Sequence, residues 1–278
     1  MLPATDPVMP SLAKLIATAT ALLALLASAS ASLDYTKKSS GLKYDRVHLV
    51  DYMVTGGVQQ FLFRGNFPAN ATHFQYDLLK EYMRARAQEQ GIKFPEDEAY
   101  IVDVSLNNAV DTDPLEADFF KDPANADKGM LFEWPIGTSS VFRPRDVKDV
   151  AERERSAMET VWATDKFPDR VALVNRLMST GTGTPRQRPL AVYVHCSAGC
   201  DRTGAFIGAY RMEYGRRNTT IGEIFKSNVA ECGRVPNYFG VASTEWYCVR
   251  NELTSGRDLG GCLEIAKCVP FGDCKELA

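Results

Sequence analysis

The sequence predicts an α/β fold built on a central, mostly parallel sheet flanked by helices. Three observations lead there. At 278 residues, 45% hydrophobic and 24% charged, the chain can bury one substantial core and has the composition of an ordinary globular protein. Strand-like apolar runs alternate along it with helical patterns. One apolar run, Leu190-Ala191-Val192-Tyr193-Val194, passes through a small-residue loop directly into a helical pattern beginning near Thr203.

The elements follow in order. Gln59 to Pro68 alternates as a strand and stops in a glycine-proline turn, after which Phe74, Leu78, Tyr82 and Met83 recur at helical spacing. Tyr100-Ile101-Val102-Asp103-Val104 is the next strand, and Gly129 to Trp134 another, ended by Pro135. Gly137 to Asp165 is polar, with charges crowded between Arg143 and Arg155, and reads as a partly helical insertion. Pro168 stands where a first helical turn begins and introduces Val171, Val174, Leu177 and Met178; the loop 181–185 then returns the chain to the strand at Leu190. Beyond Thr203, Phe206, Ile207 and Tyr210 form an apolar helix face. Thr220-Ile221-Gly222-Glu223 is a capping box for a further helix, and Thr244 to Leu253 is the last helix of the core.

At the N-terminus, residues 15–31 are uncharged and apolar, follow Lys14 and end in Ala-Ser-Ala triplets. That pattern reads as a secretory leader removed near Ala31, with an uncleaved membrane anchor as the competing reading. Asn70-Ala71-Thr72 and Asn218-Thr219-Thr220 are sequons an exported eukaryotic chain would offer for glycosylation. All seven cysteines lie between positions 196 and 274. Setting Cys196 aside leaves an even set, Cys200, Cys232, Cys248, Cys262, Cys268 and Cys274, suited to disulfides in an oxidising compartment, and the last three form a small stapled tail. The organisation expected is thus leader 1–31, globular domain 32–255 and cysteine-rich tail 256–278. A formal net charge of -3 with no long basic run speaks against nucleic-acid binding and against a polybasic membrane patch. After removal of the leader, no stable membrane span is expected.

The chemistry concentrates in the loop His195-Cys196-Ser197-Ala198-Gly199-Cys200-Asp201-Arg202-Thr203-Gly204. Unpaired N–H groups at a helix start favour an anion, so a cysteine facing them is expected as a thiolate. Arg202 adds a planar, permanently charged fork that matches two phosphate oxygens. Gly199 lets the backbone turn inward, and Ser197 and Ala198 are small enough to leave space for a phosphoryl group. The phosphate cradle is therefore assigned to Ser197, Ala198, Gly199, Cys200, Asp201 and Arg202. His195 falls on the other face of the strand from Cys196 and is expected to support the loop through hydrogen bonds.

The spacing His195-Cys196, five residues, Arg202, Thr203 resembles the signature of the cysteine-dependent protein tyrosine and dual-specificity phosphatases. Arg64-Gly65-Asn66-Phe67-Pro68 and the strand-helix-strand order after it also resemble the front half of compact dual-specificity phosphatases. The likeness runs from about Phe61 to Leu253 and leaves the tail outside.

It implies a phosphotyrosine-phosphatase-like fold and hydrolysis of phosphate monoesters through a phosphocysteine on Cys196, with neither metal nor other cofactor. It also implies that Thr203 eases departure of the sulfur from phosphorus. In this family an aspartate, commonly in a Trp-Pro-Asp context, protonates the leaving group. Here Trp134-Pro135 is followed by Ile136, while Asp165, 31 residues before Cys196, stands just ahead of a helix. Asp165 is the first candidate for the acid, with helix capping as its plain alternative, and Asp201 is the second. Myotubularin and Sac phosphoinositide phosphatases share the Asp-Arg loop ending.

The substrate classes left open are phosphorylated proteins and phosphoinositides or inositol phosphates. Phosphate binding without turnover and arsenate or sulfur redox chemistry stand as further alternatives. For Cys200 the readings are a redox partner of Cys196, a bridge to the tail, or a buried thiol.

Overall fold

In the computed structural model the described residues are 41–108, 114–137, 142–180, 188–216 and 218–277. The leader 1–31 and the loop 181–185 lie outside them. Among the described residues, no helix is long and apolar enough to cross a membrane.

The sheet has five strands, β1 (His48–Thr55), β2 (Val58–Asn66), β3 (Tyr100–Ser105), β4 (Gly129–Glu133) and β5 (Leu190–Cys196), in the order β1-β2-β5-β3-β4. Only the β1–β2 hairpin is antiparallel; β2, β5, β3 and β4 run parallel. The expected α/β class is therefore observed. Strand β5 lies at the centre and every one of its residues is buried, which is why it reads in the sequence as a continuous apolar run.

Alternation along β2 and β5 divides the core. Phe61, Phe63, Ala191 and Tyr193 join Leu79, Met83 and Ala87 of α1 (Tyr76–Glu89) on one face. On the other, Leu62, Val192, Val194 and Cys196 join Phe167, Val171, Val174 and Met178 of α4 (Phe167–Thr180). Helices α5 (Asp201–Tyr214) and α7 (Tyr238–Ser255) complete that side through Phe206, Ile207, Trp246 and Tyr247. Between α1 and α4 come α2 (Pro114–Lys121) and α3 (Val150–Met158), the latter in the charged insertion. The capping box at Thr220 opens α6 (Ile221–Cys232) as the sequence predicts, and Gly233 closes it at φ 73°.

The final helix starts earlier than the sequence suggests. Asn237 caps it by accepting the N–H of Gly240 at 3.0 Å, which places Tyr238 to Ser243 inside α7. Beyond it, a hairpin of β6 (Ala266–Cys268) and β7 (Cys274–Glu276) forms the tail. The tail is not stapled only to itself: Cys268 pairs with Cys274, but Cys262 pairs with Cys248 of α7. Buried Arg143 adds to this anchorage, bonding both carboxylate oxygens of Glu245 on α7 and the Ala266 carbonyl.

Candidate active site

Strand β5 delivers Cys196 to the C-terminal edge of the sheet, the chain turns through Ser197 to Cys200, and α5 begins at Asp201. The turn closes on the end of β2. Gly199 sits at φ 70°, and a Cβ there would come within 2.5 Å of the Gly65 carbonyl oxygen, so both conformation and space call for glycine. Gly65 is constrained likewise, because a side chain would strike the Tyr193 hydroxyl, which donates to the Asn66 carbonyl at 2.7 Å.

The main anchor of the loop is Arg64. Fully buried, it donates through Nη2 to the Gly199 carbonyl at 2.8 Å and through Nη1 to Asn228 at 2.8 Å and Glu231 at 2.6 Å. Burial pushes the Glu231 carboxyl up, but the Arg64 and Arg211 guanidiniums outweigh this and hold it below its ordinary value. A carboxylate on α6 thus fixes an arginine on β2, which fixes the phosphate loop. In the sequence Arg64 reads only as part of the strand run that ends in the glycine-proline turn; its signal is a charged residue inside that run.

Cys196 is a free thiol, 4% exposed. Cys200 is bridged to Cys232 at the end of α6, which corrects the expectations that kept it as a resolving thiol for Cys196, a free thiol or a tail partner. Its role becomes mechanical: the bridge ties the last turn of α6 to the last residue before α5. Arg202 takes the second position of α5, half-buried. Thr203 follows, fully buried, with a hydroxyl that has no hydrogen-bond partner. A buried hydroxyl left unsatisfied in the first turn of α5 suits a group that acquires its partner during a reaction.

His195 faces away from Cys196, its ring 5.5 Å from that of Tyr193. Nε2 lies 2.7 Å from Glu116 and 3.1 Å from Asp103, all three buried. Burial pushes the imidazole down, but the carboxyls of Glu116 and Asp103 lift it to about 10. Burial and the charge on Glu116 push Asp103 up to about 8, while His195 holds Glu116 low against its own burial. The trio thus carries an imidazolium, one carboxylate and one protonated acid beneath the loop. Its ligand atoms lie within 4.8 Å of one another, close enough for a metal. The contacts are of hydrogen-bond length in a closed interior, but at Nε2, Asp103 and the near oxygen of Glu116 they are off hydrogen-bond geometry and so act as close ion pairs.

The two aspartates differ. Asp165 is 3% exposed and accepts the Phe167 N–H at 3.1 Å, a helix-start bond at the head of α4. Asp201 is half-buried at the head of α5 and accepts from Arg234 and from the Asn237 N–H. Trp134-Pro135 leaves β4 at the same sheet edge as Cys196, since β4 and β5 run in the same direction. Ile136 follows there, buried, its N–H directed at the Leu106 carbonyl at 3.4 Å.

Residues 142–228 match the family model for protein-tyrosine phosphatase, a stretch that takes in β5, the phosphate loop, α5 and most of α6. No curated protein matches the chain. Joined to a parallel sheet that presents Cys196 in front of the start of α5, this match supports the reading of residues 142–228 as a segment of protein-tyrosine-phosphatase type, with the loop at Cys196 at its centre.

Proposed function

We propose that the protein hydrolyses phosphate monoesters in two steps through a phosphocysteine on Cys196, with aryl phosphates such as phosphotyrosine as its best substrates. The observation that carries this reading is the free Cys196 at the end of β5, before a loop held in shape from behind by Arg64 and by the Cys200–Cys232 bridge.

The N–H groups of the loop and Arg202 hold the phosphoryl oxygens, and the thiolate of Cys196 attacks phosphorus as the ester oxygen leaves. Thr203 donates to the sulfur when water later displaces it. Asp201, held at the head of α5 by Arg234 and the Asn237 N–H, is the residue we assign to take a proton from the attacking water. Asp165 serves the start of α4. Ile136 supplies no proton where the Trp-Pro segment reaches the edge of the sheet, so the first step leans on the leaving group itself. A phenolate leaves without much help, whereas an alkoxide does not.

The buried Ile136 also favours a second reading, phosphate binding without turnover. Reduced, purified protein assayed on an aryl phosphate, phosphotyrosine and phosphoserine peptides and phosphoinositides decides between them. Turnover of the aryl phosphate, lost in Cys196→Ser, supports the enzyme; vanadate binding with no turnover of any substrate supports the module. Disulfides and the apolar stretch 15–31 fit an oxidising, exported location, which we include in the proposal.

A further inference from the structure

Three large apolar side chains are more exposed than any others among the described residues: Val269 at 65%, Phe142 at 61% and Phe271 at 57%. Two of them lie at the tip of the hairpin that packs on Tyr238, and Phe142 adjoins a residue whose backbone Tyr238 reaches. The Phe271 ring lies 5.3 Å from that of Tyr238 and 6.2 Å from that of Phe239. The Tyr238 hydroxyl meets the backbone of Arg143, next to Phe142. Val269 and Phe271 stand at the tip of the β6–β7 hairpin, closed by Cys268–Cys274 and joined to α7 through the Tyr238 N–H and the Gly272 carbonyl at 3.2 Å. Phe271 itself has φ 60°, a conformation that glycine or asparagine adopts more cheaply. An aromatic ring is therefore held out to solvent at a backbone cost.

This surface borders the phosphate loop. Gly240, two residues after Tyr238, packs so closely on the head of α5 that a Cβ there would lie 3.1 Å from the Cα of Asp201. Two consecutive backbone N–H groups join the hairpin to the loop: that of Asn237 bonds Asp201 at 2.7 Å, and that of Tyr238 bonds the Gly272 carbonyl at 3.2 Å.

We propose that the hairpin tip carrying Val269 and Phe271, together with Tyr238, forms a recognition surface for a bulky apolar side chain beside the phosphorylated residue of a protein substrate, an inference that rests on the phosphatase reading above. A polyphosphorylated lipid headgroup fits this rim less well. Lys267 and Lys275, opposite each other in the hairpin, are balanced by Asp273 and Glu276, and Asp201 adds another carboxylate beside the loop. An extended peptide whose phosphate enters the loop carries its neighbouring side chains onto this rim, where burial of apolar surface favours a Leu or Phe over a Ser.

The test compares the wild type with the Val269→Thr, Phe271→Asn double variant, chosen because Thr keeps the β-branched shape and Asn tolerates the left-handed backbone. Both act on p-nitrophenyl phosphate, on a phosphotyrosine peptide flanked by Leu and Phe, on the same peptide flanked by Ser, and on vesicles carrying a phosphoinositide. The expected result is a fall of about tenfold in kcat/KM on the apolar-flanked peptide, mainly through KM, with the Ser-flanked peptide and the aryl phosphate within about twofold of wild type. An equal fall on every substrate, no fall on either peptide, or a fall confined to the vesicles overturns the inference. If the wild type fails to turn over even the aryl phosphate, the phosphatase reading fails. Binding of the same two labelled peptides to the unreacting protein then decides the recognition surface: preference for the apolar-flanked peptide, lost in the double variant, supports it, and equal binding overturns it.

Discussion

Arg234 clasps Asp201, its two terminal nitrogens lying 3.0 and 2.6 Å from the two carboxylate oxygens. The Asn237 N–H adds a third donor at 2.7 Å, so the side chain next to Arg202 is fixed in place by two residues. The division of tasks proposed for Asp201 and Asp165 has measurable consequences.

Asp201→Asn is expected to lower kcat by about a hundredfold through the second step, so that phosphoenzyme accumulates and a burst of product precedes slow turnover. Asp165→Asn is expected to leave kcat within about threefold and to cost about 1 kcal/mol of stability through the weakened start of α4. Rapid-quench kinetics and denaturant unfolding of the two variants check both. A loss of kcat in Asp165→Asn with none in Asp201→Asn reverses the assignment.

Leaving-group dependence follows from the buried Ile136. Phosphotyrosine peptides are expected to exceed matched phosphoserine peptides in kcat/KM by at least about a hundredfold, with a steep dependence on leaving-group pKa across a series of aryl phosphates. Equal rates on tyrosine and serine peptides point instead to an efficient proton donor.

The Cys200–Cys232 bridge and the free Cys196 place opposite redox demands on one loop. As reductant is increased, activity is expected to rise while Cys196 is restored and then to fall once the bridge opens. The Cys200→Ser, Cys232→Ser double variant should lose about 2–4 kcal/mol of stability and bind vanadate more weakly, and its activity should show no falling phase. Activity that only rises with reductant argues against a mechanical role for the bridge.

Stability should depend on pH through the trio beneath the loop. His195 holds its proton more tightly in the folded state, at about 10, than when unfolded, at 6.5. Its stabilisation is therefore complete below pH 6.5 and lost as pH rises through about 10. Asp103, pushed up from 3.8 to about 8, also binds its proton more tightly when folded and adds a decline between those values. Tm is expected to fall from pH 6.5 to 10 in the wild type; in His195→Asn it should start lower and change less across that window. A wild-type Tm that climbs over this range contradicts the protonated trio.

The phosphate loop was legible because its parts are local: an apolar strand, a glycine turn and a helix start lie within one short stretch. Its supports were not. Glu116 reaches His195 from α2, a helix of only 8 residues and so too short to declare itself by spacing, and Glu231 reaches Arg64 from the far end of α6. Strand β1 leaves no clear pattern in the sequence because it is a sheet edge, mostly half-buried, with an irregularity between Leu49 and Asp51 that breaks the alternation. Trp134-Pro135-Ile136 stands far upstream of Cys196 along the chain. The insertion containing α3 lengthens the chain between them, while the parallel sheet brings the ends of β4 and β5 to one edge.

The most direct test is to mix the protein with a phosphotyrosine peptide, quench in acid during turnover and locate any phosphoryl group by peptide mass mapping. The account requires that group on the peptide containing Cys196, more of it in Asp201→Asn, and none in Cys196→Ser, which should also be inactive. Turnover that survives Cys196→Ser, or a phosphoryl group carried on another residue, would contradict it.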